Sequence, residues 1–138
     1  MFRMKPQLDA FLRRAAFFVS ATAAISASLI PHTTVDADIP PKVQSYELPF
    51  HVVVYFVVTL TAMVAFARRR RDSATRLDFL LAGALFGAVM EILQATLPGV
   101  GRTATLRDFF SNLLGAALAA AFVPSRWLPS RELHGETA

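Results

Sequence analysis

The chain has 138 residues, enough for one domain, and 54% of them are hydrophobic against 17% charged, more apolar than a soluble domain of this size. It contains no cysteine, which excludes disulfides, thiolate metal sites and a cysteine nucleophile. A net charge of +4 would suit nucleic acid, but the arginines sit at the ends of apolar blocks. There they read as membrane-topology signals, and nucleic-acid binding is not expected.

The apolar residues fall into four blocks, 15–30, 50–67, 77–97 and 109–123. None alternates with a period of two, so strands are not expected and an all-α integral membrane bundle of four transmembrane helices is predicted. At a rise of about 1.5 Å per residue the second and third blocks span a hydrocarbon core of about 30 Å. The first and fourth are shorter and must borrow flanking residues or thin the bilayer locally. This divides the chain into a cytoplasmic segment 1–14, a membrane domain 15–123 and a cytoplasmic tail 124–138.

Before block one lie Arg3, Lys5, Arg13 and Arg14; its small-residue run ending in Ser26-Ala27-Ser28 also fits a cleaved signal peptide. Cleavage would leave the orientation of the other three blocks unchanged. The following loop carries Asp36, Asp38 and Glu47 against Lys42, and its prolines 31, 40, 41 and 49 keep it extended. Pro49 suits the first turn of a helix. After block two come the arginines 68–71 and Arg76, and after block four Arg126 and Arg131. The positive-inside rule then puts both termini in the cytoplasm, in the cell (inner) membrane, with Arg102 and Arg107 as a mild exception outside.

This orientation gathers the polar side chains at the outer ends of the spans. His51 begins block two, with Tyr55 one turn deeper on the same face. Glu91 lies about two turns from the outer end of block three and Gln94 is nearer the surface. A carboxylate in mid-membrane costs roughly 2.5–3.5 kcal/mol on insertion scales, so such a residue faces a protein partner or a wet cavity. Arg102 lies in the outer turn, and Asp108 and Asn112 stack on the first turns of block four. Gly83, Gly87 and Glu91 share one helix face, as do Ser111, Gly115 and Ala119; this small-xxx-small spacing lets helices approach closely and turns Glu91 inward.

Each of these residues also has a structural reading. His51 fits a headgroup-level histidine, and Tyr55 the interfacial aromatic belt. Glu91, Gln94 and Asn112 fit interhelical hydrogen bonds, and Arg102 a loop cation or the charge partner of Glu91. Thr105-Leu106-Arg107-Asp108 fits a capping box, with Thr105 as N-cap and the Asp108 carboxylate reaching back to its backbone N–H.

In order and spacing these pieces resemble the VanZ-like family of small integral membrane proteins, named for a protein associated with teicoplanin resistance. Ser28-Leu29-Ile30-Pro31 fills the family's Ser-Leu-x-Pro slot, and Glu47, His51 and Tyr55 match Asp-Lys-x-x-His-x-x-x-Tyr with Leu48 in the lysine position. Gly87, Glu91 and Gln94 match Gly-x-x-x-Glu-x-x-Gln. Arg102 follows a turn widened by Val100 and Gly101, and Asp108, Asn112 and Gly115 match Asp-x-x-x-Asn-x-x-Gly. The match runs over residues 28–121. The resemblance implies a cell-envelope association and, for some members, reduced glycopeptide action.

Two functions remain open at this level. In one, the chain acts on an envelope lipid or lipid-linked cell-wall precursor, with Glu91 and His51 as candidate catalytic acid and base. Arg102 then holds a phosphate or carboxylate, while Tyr55, Gln94, Asp108 and Asn112 bind and orient the substrate. In the other, the same cluster is non-catalytic and recognises a lipid headgroup or glycopeptide, or docks a larger membrane complex. One histidine with two carboxylates is a weak metal set, so neither a metal nor another cofactor is expected. The partners expected are membrane lipids and, in a homo-oligomer, further copies of the chain.

Overall fold

A computed structural model describes residues 6–30, 47–67, 73–100 and 105–124. The described residues form four helices: α1 (Pro6–Leu29), α2 (Glu47–Phe66), α3 (Ser73–Thr96) and α4 (Leu106–Phe122). All four apolar blocks are helical, and no strand occurs among the described residues. All four helices start earlier than their apolar blocks because their opening turns carry polar residues, which hydropathy does not register; Asp9 and Arg13 pair at 2.8 Å across one turn of α1. Three helices are long and apolar enough to cross a membrane: Gln7–Leu29, Leu48–Phe66 and Thr75–Thr96. With 17 residues α4 is shorter, about 26 Å at 1.5 Å per residue.

Successive helices run up and down. Ser20 of α1 bonds Thr61 of α2 at 2.8 Å, and Gln94 near the end of α3 reaches the carbonyl of Ser28 near the end of α1. α2 and α4 run parallel, with His51 beside Asn112 at one end and Met63 packed with Ala120 at the other. The α2–α4 contact is the most extensive, followed by α3–α4 and α1–α2. α1 is thus the peripheral helix.

Small residues make the close contact possible. A Cβ on Gly115 would lie 2.3 Å from the carbonyl oxygen of Val52 and 2.9 Å from the nitrogen of Phe56, so the backbones of α2 and α4 touch at this point. A Cβ on Gly83 would meet Thr59 and Ala116, and one on Gly87 would meet Asn112 and Tyr55. The glycine face of α3 therefore packs into the bundle as its spacing predicted. α3 ends in a turn closed by Val100 N–H to Leu97 O at 3.4 Å. Pro98 fits its second position, and Gly99, at φ +86°, supplies the left-handed third position that favours glycine.

The burial pattern inverts that of a water-soluble bundle. His51, Thr59, Glu91, Gln94, Ser111 and Asn112 are buried, while Phe11, Phe18, Val53, Leu85, Ile92 and Phe110 are among the large apolar side chains left exposed. Soluble domains bury such apolar groups and seldom bury a carboxylate.

Candidate functional site

The buried polar residues are concentrated at the end of the bundle where α2 and α4 begin and α3 finishes. His51 stands one turn into α2 and Asn112 two turns into α4, and the two meet with Nδ1 2.9 Å from Oδ1. The Asn112 amide nitrogen donates to Glu91 Oε1 at 3.1 Å. A carbonyl oxygen can only accept, so His51 carries its proton on Nδ1 in this arrangement. The bonds therefore run in one direction: His51 Nδ1–H to Asn112 Oδ1, then Asn112 Nδ2–H to Glu91. Asn112 is fully buried and Glu91 is 5% exposed, so the chain crosses the interior of three helices.

Two atoms at its ends have no partner. Glu91 Oε2 is buried with no partner at full hydrogen-bonding distance, although the Thr105 backbone N–H is directed at this carboxyl and the Asp108 carboxylate lies near it. His51 Nε2 makes no hydrogen bond among the described residues. His51 also lines a shallow, open groove between α1 and α2.

The other sequence candidates divide. Tyr55 is buried, 2% exposed, with its ring 5.8 Å from that of Phe86 and its atoms against Gly87 and Gly115. This overturns the aromatic-belt reading of Tyr55, since a belt residue lies at the lipid surface. Gln94 points away from the Glu91 chain and donates to Ser28 O at 2.9 Å, tying α1 to α3. Thr105 is the N-cap of α4, accepting from the Asp108 N–H. The Asp108 carboxylate takes the Thr105 hydroxyl at 2.6 Å rather than its backbone N–H, a correction to the expected capping box. The shared hydroxyl is closer, because it already faces Asp108 to accept its N–H at 3.1 Å. Arg102 lies outside the described residues. No three metal-ligating side chains gather among the described residues.

One role was missed at the sequence level. Arg76 reads as one more cation of the loop after block two, yet its guanidinium donates to the carbonyls of Ala120, Ala121 and Val123. These are among the carbonyls that the end of a helix leaves without intrahelical partners. Only the antiparallel packing of α3 on α4 brings them within reach, so no local signal marks the residue.

Four packed helices with an apolar exterior and a buried imidazole–amide–carboxylate chain define a small all-α protein of membrane type. A protein-family comparison makes this specific: the VanZ/LLP1 family model matches residues 8–127, and the chain belongs to that family. No curated protein and no solved structure matches it.

Proposed function

We propose that this VanZ-like protein spans the cell membrane four times, with both termini cytoplasmic, and engages an envelope lipid or lipid-linked cell-wall component at the outer face. The buried His51–Asn112–Glu91 chain carries this reading. A polar path of this kind inside helices with an apolar exterior marks a functional site, because it is costly to maintain in a bilayer. The arginines and lysine that flank the apolar blocks in the sequence support the orientation, and family membership supports an influence on glycopeptide susceptibility. For α4 to cross, its 17 residues need flanking residues or a locally thinner bilayer.

The order of groups bears on mechanism. An amide transmits hydrogen-bond direction but carries no exchangeable proton of suitable acidity, so Glu91 does not exchange a proton with His51 through Asn112. Glu91 holds Asn112, and Asn112 holds His51 in one tautomer, the second-tier orienting role that carboxylates play for histidines elsewhere. This favours a site in which His51 meets the bound molecule. It also supports a second reading, in which the protein binds and presents a lipid without transforming it.

The test is teicoplanin susceptibility of a sensitive host expressing wild type or Glu91→Gln at matched membrane abundance. Wild type is expected to protect, and Glu91→Gln, whose neutral amide oxygen holds Asn112 more weakly than a carboxylate does, to lose part of that protection while remaining inserted. Full protection by Glu91→Gln would overturn the role of the carboxylate. No protection by either inserted protein would overturn the link to glycopeptides.

A further inference from the structure

The groove between α1 and α2 has an apolar wall and one polar end. Ala24, Ala27, Phe50 and Val54 make the wall, and Ser28 and His51 stand among them. Phe50 is exposed beside it, as is Ile25 on α1, so the wall continues into the apolar exterior of the bundle. His51 is nine-tenths buried, and its Nε2 is unpartnered among the described residues. With the proton fixed on Nδ1 by Asn112, a neutral His51 offers the groove a lone pair at Nε2.

A lone pair at the end of an apolar slot selects an amphiphile whose polar end donates a hydrogen bond. Resting on the membrane reading above, we infer that this groove takes one acyl chain of a bilayer lipid bearing a hydroxylated headgroup. The chain lies along Ala24, Ala27 and Val54, and a headgroup hydroxyl donates to His51 Nε2. The lipid reaches the groove sideways from the bilayer, because the wall opens onto the apolar exterior. Gln94 keeps the groove in shape from behind by holding the Ser28 carbonyl at 2.9 Å. Asn112 and Glu91 act at one remove, as positioning residues that fix which nitrogen of His51 faces the lipid.

The absence of cysteine makes the test direct. The full chain carrying Ala27→Cys as its single thiol is reconstituted in phosphatidylcholine nanodiscs and labelled with a membrane-permeant maleimide. Phosphatidylglycerol is then titrated in, with phosphatidylmethanol as the control of equal charge that lacks headgroup hydroxyls. Phosphatidylglycerol at about ten times its dissociation constant is expected to slow labelling roughly tenfold, since the free fraction falls in that proportion. Phosphatidylmethanol is expected to leave the rate near its value in phosphatidylcholine alone. The lipid comparison uses one protein with His51 intact, so it does not depend on a His51 variant folding. His51→Phe is expected to abolish the difference between the two lipids.

Equal protection by both anionic lipids, or none by phosphatidylglycerol, would overturn hydroxyl recognition in the groove. Carbonate extraction of the same protein from native membranes separates this from the wider reading. A carbonate-resistant protein without lipid selectivity overturns the groove assignment alone, whereas a chain released by carbonate overturns both.

Discussion

At one end of the bundle Met63, Ala67, Ala120 and Val123 form an apolar cluster, with Leu60, Val64, Phe79 and Leu80 packed around it. At the other, the same parallel pair of helices, α2 and α4, meets through His51 and Asn112, with Glu91 of α3 completing the contact. The apolar end is held by shape, and Arg76 there serves the backbone. The polar end is held by directed hydrogen bonds that leave one carboxylate oxygen and one ring nitrogen unused. A bundle needing only stability could have repeated the apolar solution at both ends; the spare valences at the polar end are what a bound molecule would use.

This contrast can be broken or sharpened by substitution. The largest effect is expected where both ends depend on one spacing. Gly115→Ala drives a Cβ to 2.3 Å from the Val52 carbonyl, a backbone atom that cannot rotate away. It should destabilise the protein by about 3 kcal/mol, the upper part of the overpacking range, read as a lower thermal midpoint in detergent. An unchanged midpoint would mean that α2 and α4 do not touch there.

Next comes Asn112→Leu, which removes the centre of the polar chain while preserving size. It leaves the Glu91 carboxyl and His51 Nδ1 buried without partners, and roughly 2 kcal/mol of stability should be lost. Glu91→Gln keeps an acceptor for Asn112 Nδ2 and should stay near wild type in stability. The two variants together separate the structural share of the chain from its functional share. Equal stability losses in both would assign the polar end to structure alone.

Arg76→Met tests the apolar end in isolation. Removing donors from three α4 carbonyls should cost about 1.5 kcal/mol. Hydrogen exchange should quicken over residues 119–123, and protection around His51 should not change. Thr105→Ala is expected to be milder, about 1 kcal/mol for a lost N-cap, with fraying confined to the first turn of α4. Fraying that reached Asn112 would show the cap to be part of the site.

Much of this was legible in the sequence because it depends on spacing within a helix. The inward glycine face of α3 follows from periodicity, the four blocks from hydropathy, the N-cap at Thr105 from its local residue pattern, and the gathering of His51, Glu91 and Asn112 at one end from the alternating direction of the helices. What was not legible depends on which backbone a side chain meets. Gln94 lies one turn beyond Glu91 and reads as its companion, yet its amide serves a carbonyl 66 residues away. Arg76 looks like a topology signal, and the carbonyls it binds lie 44 to 47 residues further on. Tyr55 shares a face with His51, but its burial depends on the missing side chains of Gly87 and Gly115. The direction of the hydrogen-bond chain emerges only once the amide of Asn112 is placed between its neighbours.

The clasp of Arg76 on the end of α4 also bears on biogenesis. α4 is the shortest helix and packs chiefly on α2 and α3, both of which leave the ribosome before it. On the membrane reading proposed above, the translocon would not need to hold α4 by its own apolarity. The helix would pack onto a two-helix surface already made, and an arginine synthesised some forty residues earlier would latch its trailing end. Assembly is completed by a part of the protein made before the part it secures, so truncation within α4 would leave the latch without its catch.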